Sequence, residues 1–273
     1  ESIYQHHDLD IRNGKKLKRL IEEINPEIIF HLAAQPLVRE SYLSPLLTWE
    51  TNVMGTINLL ESLRGLEKCS VVVITTDKVY ENVDWNYSYR ENDILGGHDP
   101  YSSSKAAVEI AVSSWRNSFF KKDIKISTAR AGNVIGGGDW AKDRIVPDTI
   151  DSLVNDSILE IRYPNSIRPW QHVLDPLWAY MELAKNQIYK DLSPSYNFGP
   201  LTSEVTTVKK LVNLISESWG KEIRTQIIKN QPIETSFLSL SIDKSIRELN
   251  WLPKWNLKKS IKETVKSYKE LNS

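Results

Sequence analysis

The feature that most constrains the fold of this 273-residue chain is a regular alternation of short apolar runs with helical patterns. Three runs rich in β-branched residues are typical of buried strands, at 26–34, 70–76 and 124–130. Helical patterns occupy the segments 14–25, 48–66 and 100–120. Strands that alternate with helices at this spacing form parallel βαβ units, so the sequence predicts an α/β protein built on a doubly wound parallel sheet.

The alternation breaks down after about residue 135, where Gly, Pro and Trp become frequent. Further along, residues 195–199 are typical of another short strand, and 207–219 of an amphipathic helix. The stretch 241–271 indicates two helices around a Trp-Leu-Pro turn.

No repeat or low-complexity linker separates the two patterns. We therefore expect a sheet domain over 1–135, joined by part of 170–200. A second, smaller lobe over 136–273 is expected to be interwoven with it rather than attached through a linker.

Composition excludes several classes of function. Lys plus Arg and Asp plus Glu both number 35, so no nucleic-acid surface and no basic membrane contact is expected. Cys69 is the single cysteine, which excludes an internal disulfide and a cysteine metal cluster and fits a reducing cytoplasm. The five histidines are scattered apart from His6 and His7, so no metal site is expected. No signal peptide and no apolar run approaching the ~20 residues of a membrane span is visible.

Tyr101 and Lys105 lie four residues apart in a segment that reads as a helix, with Asp99 as its N-cap and Pro100 as its first residue. This spacing puts both side chains on one helical face. An ammonium beside a phenol lowers the tyrosine pKa from about 10 and makes a general base for a sugar hydroxyl. Such a spacing also arises by chance, so the alternative is an ordinary surface helix.

Three clusters follow the predicted strands at their carboxyl ends, where doubly wound sheets bind ligands. Ala33-Ala34 would let a ligand approach the backbone, or simply serve strand–helix packing. Thr75-Thr76-Asp77-Lys78 supplies a hydroxyl, an acid and an amine; the alternative is a polar exit from the strand. The Gly-rich segment 131–140 does not match Gly-x-Gly-x-x-Gly and is interpreted as a loop close to a substrate.

Basic side chains in the second half are candidate diphosphate ligands. Arg144 and Arg168 carry guanidinium groups suited to phosphate oxygens, and the alternative is a salt bridge at the surface. His172, near Trp170, has the alternative of a packed core histidine.

Together these motifs resemble the extended short-chain dehydrogenase/reductase superfamily and, within it, the CDP-glucose 4,6-dehydratase family. The matching segments cover most of residues 31–176: HLAAQPLVRESY (31–42), TWETNVMGTINLLES (48–62), VVVITTDKVYEN (71–82), YRENDILGGHDPYSSSKAAVEI (89–110), ARAGNVIGGGDWAKDRIVPD (129–148) and IRPWQHVLDP (167–176). The resemblance implies a Rossmann-type sheet, NAD as cofactor, CDP-glucose as substrate, a homodimer and a place in deoxysugar synthesis for surface polysaccharide such as O-antigen.

The resemblance also implies roles for the catalytic candidates. Tyr101 would take the proton of the sugar 4-hydroxyl, and Lys105 would hold the phenolate and the nicotinamide ribose. Asp77 would protonate the departing 6-hydroxyl, and Thr76 would bond the sugar O4. Lys78 would remove the C5 proton; related dTDP-glucose dehydratases have Glu there, so Lys78 as an electrostatic stabiliser is the alternative.

Binding roles are implied in the same way. Asp10-Ile11 would touch adenine, and Ala33, Ala34, Asn52 and Thr75 would lie beside the cofactor. Asn133, Arg144, Arg168 and His172 would bind the nucleotide sugar. The dinucleotide-binding domain is then residues 1–135, and residues 136–273 mainly form the nucleotide-sugar lobe.

The Gly-rich phosphate-binding turn that opens the family is not visible in the sequence. We therefore expect a doubly wound sheet that lacks its N-terminal strands, and a chain that by itself folds poorly and binds NAD weakly.

Two other functions stay open at this point. A nucleotide-sugar 4-epimerase would use Tyr101, Lys105 and the same cofactor without needing Asp77 and Lys78. A non-catalytic fragment or cofactor-sensing protein is the third possibility.

Overall fold

The apolar runs of the sequence form neighbouring strands of one parallel sheet. In the computed structural model these are β1 (Ile28–His31), β2 (Cys69–Ile74), β3 (Ile124–Ala131) and β8 (Ser195–Phe198), in the order β1-β2-β3-β8. Strands β1 and β3 both pair in parallel with β2. The residues described are 5–120, 123–192, 194–229 and 235–271. The parallel sheet and the strands predicted from the sequence are confirmed.

Amphipathic helices cover this sheet. Helix α1 (Gly14–Ile24) begins after Asn13, whose side chain accepts from the Lys16 amide, and it buries Leu17 and Ile21. These residues lie one turn apart and pack with the apolar side chains of β2 and with Leu60. Each fully buried aliphatic side chain of this kind contributes about 1.5–3 kcal/mol.

The single helix predicted over 48–66 is a composite helix in the structure. Short helices α2 (Val38–Leu43) and α3 (Pro45–Trp49) precede a π-helical turn at Glu50–Met54, and α4 (Gly55–Leu63) follows. The helix starts earlier than predicted because Pro45 occupies its first turn, where a missing N–H costs nothing.

Helix α5 (Pro100–Ser118) begins as the sequence predicts. Asp99 accepts from the Ser102 amide, and the Ser102 hydroxyl faces back to form a capping box. The Tyr101 amide donates to the Ser41 hydroxyl at 3.2 Å, so another N–H of the first turn also finds a side-chain acceptor.

The chain forms two compact units whose segments alternate along the sequence. The first comprises Glu1–Glu81, Leu95–Ala129 and Leu183–Ser195. The second comprises Asn82–Ile94, Arg130–Glu182 and Tyr196–Ser273. The assignment of dinucleotide and nucleotide-sugar binding to residues 1–135 and 136–273 stays a prediction.

Helices and very short strands make up most of the rest of the chain. These elements are β4 (Val134–Ile135), α6 (Ile145–Asn155), β5 (Leu159–Ile161), β6 (Ile167–Arg168), β7 (Gln171–His172), α7 (Leu174–Tyr189), β9 (Thr206–Thr207), α8 (Val208–Trp219), β10 (Thr225–Ile227), α9 (Asp243–Leu249) and α10 (Leu257–Leu271). The core of the second unit joins side chains of α6, α8 and α10, including the fully buried Ile150, Leu211 and Tyr268.

The helices predicted over 207–219 and 241–271 are confirmed, with Thr207 as N-cap of α8. None of the helices in the described part of the chain combines the length and the apolar character needed to cross a bilayer.

Candidate active site

Tyr101 and Lys105 are both buried on the first two turns of α5. The Lys105 amine donates to the carbonyl of Ile74, the last residue of β2, at 3.1 Å. Burial lowers the Lys105 pKa to about 8, and the Glu109 charge partly opposes this effect. The geometry therefore holds a cation with a reduced pKa at the end of β2, one helical turn from the phenol.

Side-chain hydrogen bonds also hold the segment directly after β2. Thr76 caps a 3₁₀ turn over Asp77–Val79: its hydroxyl accepts from the Lys78 amide at 3.3 Å and donates to the Asp77 carboxylate at 3.0 Å. Asp77 is buried, whereas Lys78 is half-buried. The turn packs against α5, so the structure brings the predicted acid and amine to the helix that carries Tyr101 and Lys105.

Thr75 is held by a contact that the sequence analysis missed. Its hydroxyl donates to the Glu109 carboxylate at 2.5 Å, and the other oxygen of that carboxylate accepts from the Thr128 hydroxyl at 2.7 Å. Glu109 lies four residues after Lys105, and this helical spacing was the signal in the sequence that could have found it.

At the end of β1, Ala33 is exposed and Ala34 half-buried, which leaves the backbone there open to approach. His31 is buried next to them, 2.9 Å from the Thr56 hydroxyl. Burial, with the positive charge of Lys105, lowers the His31 pKa to about 3. His31 is therefore neutral at working pH. Because the Thr56 hydroxyl donates to the Asn52 carbonyl, it accepts from His31 Nε2–H.

Asn52 occupies the π-helical turn and is almost fully buried. Its side-chain oxygen accepts from the Gln35 amide at 2.8 Å, and its nitrogen donates to the Gln35 carbonyl at 3.1 Å and to the Ser104 hydroxyl at 2.9 Å. Asn52 thus ties the loop after β1 to the helix of Tyr101. π-Helical turns are frequent at functional sites.

The predicted adenine contacts lie at the edge of the first unit. Asp10 is exposed, and both of its carboxylate oxygens accept from the Arg12 guanidinium, which holds the Asp10 pKa at about 2. Ile11 packs over Gly55: a Cβ added to that glycine would lie 2.4 Å from the Ile11 side chain. Asp10 therefore lies at the surface in an ion pair with Arg12. Ile11 forms an apolar surface that packs against the start of α4.

The four substrate-binding candidates all lie in the second unit. Arg168 and His172 are buried, and Arg168 donates to the Ile167 carbonyl at 2.9 Å. His172 accepts from the Leu174 amide at 3.3 Å, and burial lowers its pKa. Arg144 pairs with Asp139 at 2.9 Å.

Asn133 differs from these three. Its backbone carbonyl accepts from the Gln171 amide, but its buried side-chain oxygen has no hydrogen-bond partner within the described residues. A buried amide in this state suits a position that a polar ligand completes.

The donor set of the first unit fits a nicotinamide cofactor. Lys105 has three N–H donors, one of which goes to Ile74, so two remain for a phenolate and a ribose hydroxyl. No group of three or more metal-ligating side chains gathers in the part of the chain that the structure describes.

Comparison with known proteins agrees with this chemistry. The family model for GDP-mannose 4,6 dehydratase matches residues 1–264. The CDP-glucose 4,6-dehydratase of Salmonella typhimurium is 44% identical over 278 residues, which span 98% of this chain and 77% of that protein. The dTDP-glucose 4,6-dehydratase of Haemophilus influenzae is 25% identical over 97% of this chain and 82% of its own length. The resemblance seen in the sequence motifs is confirmed.

Solved structures have the same fold. The UDP-glucose 4-epimerase of Thermus thermophilus, in complex with NAD, is 26% identical with a TM-score of 0.84, over 96% of this chain and 83% of the other. The dTDP-glucose 4,6-dehydratase of Bacillus anthracis, in complex with NAD, is 22% identical with a TM-score of 0.83, over 96% and 78%. The second likeness shows the fold alone, and both agree with the Rossmann-type sheet.

Proposed function

This chain belongs to the GDP-mannose 4,6-dehydratase family, and from that premise we propose that it is an NAD-dependent nucleotide-sugar 4,6-dehydratase that acts on CDP-glucose. Its product would be CDP-4-dehydro-6-deoxy-D-glucose, a precursor of deoxysugars for surface polysaccharide. The choice of CDP-glucose is supported by the 44% identity to the Salmonella enzyme of that name.

The observation that carries the proposal is the packing of an acid and amine turn against the helix of the Tyr–Lys pair. Asp77 is buried on the turn after β2, and that turn packs against α5, where Tyr101 and Lys105 lie. An epimerase needs only the Tyr–Lys pair. Elimination of water needs in addition an acid for the leaving hydroxyl and a base for the C5 proton.

Tyr101, as phenolate, takes the proton of the sugar 4-hydroxyl. Lys105 stabilises the phenolate by its charge, and the Ile74 carbonyl holds the ammonium in place. When bound, NAD⁺ would supply the hydride chemistry, oxidation at C4 followed by reduction at C6, and would be regenerated in each turnover. Lys105 would hold its nicotinamide ribose, Thr75 would lie beside it, and Ala33 and Ala34 would leave room for it.

The elimination step follows from the residues after β2. The C4 ketone acidifies the C5 proton, and Lys78 in its neutral form removes it. Asp77 delivers a proton to the 6-hydroxyl, which leaves as water, and protonated Lys78 returns its proton to C5 when C6 is reduced. Tyr101 and Asp77 regain their starting protonation states by exchange with solvent. The Thr76 hydroxyl bonds the sugar O4, where negative charge develops. If Lys78 instead acts as an electrostatic stabiliser, a Lys78→Gln variant will still exchange the C5 proton with solvent.

The adenine end of the cofactor is assigned to Asp10 and Ile11, and the loop beside it to Asn52. The nucleotide sugar is assigned to residues of the second unit. Asn133 has a buried amide with an unused hydrogen-bonding atom, which supports a ligand contact. Two guanidinium groups and an imidazole complete the set: Arg144, Arg168 and His172.

Assembly as a homodimer is part of the proposal. Leu46, Trp49 and Met54 are exposed along the helical segment 45–63, and Ile110 is 61% exposed on α5. A second copy packed through these helices would cover them. Sedimentation of the protein should give a dimer, and Leu46→Glu should shift it to monomer. A cytoplasmic location is proposed because the single cysteine, Cys69, is free and buried.

The test is to incubate the protein with CDP-glucose and NAD⁺ and to follow the 4-keto product by its absorbance in base and by mass spectrometry. Loss of one water from the substrate is the expected result. A product of unchanged mass would indicate an epimerase. CDP-glucose left unconverted while dTDP-glucose or GDP-mannose reacts would reject the substrate but keep the reaction.

A further inference from the structure

Glu109 is a buried carboxylate to which the proposed chemistry gives no role. It lies on α5 and is 5% exposed. Tyr101, Lys105 and Glu109 follow one another at intervals of four residues, and this spacing places their side chains in one line on the same face of the helix.

Both oxygens of this carboxylate are held by hydroxyl groups from the sheet. Thr75, directly after β2, donates to one oxygen at 2.5 Å, and Thr128, within β3, donates to the other at 2.7 Å. Charge-assisted bonds of this length are the stronger kind. Glu109 therefore fastens the middle of α5 to two strands and is itself too engaged to exchange protons with a substrate.

Glu109 also faces cations. Its charge favours the protonated form of Lys105, one turn before it, and of Arg116, two turns after it. Outside α5, His31 on β1 is the side chain whose pKa the Lys105 charge affects. The elements packed against α5 also carry charged side chains: Asp77 and Lys78 on the turn after β2, Glu50 on the π-helical turn, Glu61 on α4, and Arg39 and Glu40 on α2. His31 is neutral, whereas the charge of Glu109, in line with Lys105 on the helix itself, raises the pKa of the ammonium.

We propose that Glu109 is a positioning residue for the dehydratase: it fastens the α5 face that bears Tyr101 and Lys105 to β2 and β3, and it supplies the counter-charge of the Lys105 ammonium. The inference rests on the proposed function, since it gives Lys105 a supporting partner in that reaction.

Glu109→Gln keeps the shape and removes the charge. Side chains four residues apart on a helix lie about 6 Å apart at Cβ, and two unit charges at about this separation, with an effective dielectric constant of about 20, shift each other's pKa by about two units. The limb of the kcat/KM profile at high pH, where Lys105 loses its proton, should therefore move down by about one to two pH units. The limb at low pH moves less, because Tyr101 lies a further turn away. Thr128→Val is the matched control: it removes one hydrogen bond but keeps the charge, so it lowers thermal stability and leaves the high-pH limb in place.

A second readout does not depend on activity. The Lys105 amine can be titrated by ¹⁵N NMR in lysine-labelled protein, with the resonance assigned by Lys105→Arg. The midpoint should fall by the same one to two pH units in Glu109→Gln. A folded Glu109→Gln protein with an unchanged midpoint overturns the inference. A shifted midpoint in a protein that does not dehydrate CDP-glucose rejects the proposed function and leaves the Glu109–Lys105 coupling standing.

If Glu109→Gln alone does not fold, the double variant Glu109→Gln/Lys105→Met decides. The double variant should fold if Glu109→Gln fails to fold because the buried Lys105 ammonium has lost its counter-charge. A double variant that also fails to fold shows a purely structural carboxylate and overturns the inference.

Discussion

Lys105 should lower the stability of the folded protein at neutral pH. Burial reduces its pKa to about 8, compared with 10.5 for an ordinary lysine. Between these two values the unfolded chain keeps the proton, while the folded protein has released it. Stability therefore rises with pH from about 8 to about 10.5, and below pH 8 the cost of the buried charge is present in full.

The magnitude follows from the interval between the two pKa values, 10.5 − 8 = 2.5. At 1.36 kcal/mol per pKa unit, the buried charge costs about 3 kcal/mol. Lys105→Met removes it. Allowing about 1 kcal/mol for the lost hydrogen bond to the Ile74 carbonyl, the variant should be about 2 kcal/mol more stable than the wild type at pH 7, and inactive. That advantage should fall by about 3 kcal/mol by pH 10.5.

Urea unfolding at several pH values, followed by tryptophan fluorescence, measures this difference directly. Other groups titrate in the same range but cancel, because both proteins contain them. Lys18→Met, at an exposed site where the lysine pairs with Glu22 at 3.8 Å, is the control for the Lys-to-Met change itself. A Lys105→Met protein whose stability difference from the wild type stays constant from pH 7 to 10.5 refutes the reasoning.

The other predictions concern the reaction and the loop after β1. Tyr101→Phe should lower the dehydration rate by about 10²–10⁴-fold, with unfolding midpoints close to those of the wild type; a rate within a few-fold of wild type would exclude Tyr101 as the base. Asp77→Asn should fail with CDP-glucose but recover with a 6-fluoro substrate, whose leaving group needs no proton; equal loss with both substrates argues against the acid role. Asn52→Ala leaves Gln35 and Ser104 without their side-chain partner and should lower the free energy of unfolding by about 3 kcal/mol in a urea titration; a loss below about 0.5 kcal/mol would show that these bonds do not matter.

Local signals in the sequence were sufficient for most of the first unit. The β-branched run at 70–76 predicts a strand because a strand covered on both faces must be apolar, and β2 is almost wholly buried. The Asp99-Pro100 pair predicts the start of α5 because both residues satisfy needs of a first helical turn. Thr76, Asp77 and Lys78 come directly after this strand, so the predicted end of the strand also predicted that they lie at the carboxyl edge of the sheet.

The contacts of these residues could not be read in the same way. Glu109 meets Thr75 and Thr128 because three separate elements converge, and no local pattern encodes that convergence. The pairing of Asp10 with Arg12 depends on the turn before α1, which leaves both side chains on the same side of the chain. Local patterns define elements, whereas tertiary packing decides which polar groups satisfy one another.

The π-helical turn at Glu50–Met54 has a consequence for protein engineering. Such a turn contains one residue more than regular α-helical geometry requires. Deleting one residue inside the turn would restore the usual winding and keep the helical faces on either side of it in register. A deletion elsewhere in 45–63 would instead rotate one part of the helix against the other by about 100° about the helix axis. A deletion scan across 45–63 should therefore be best tolerated within the turn itself, where the cost is the loss of the Asn52 contacts to Gln35.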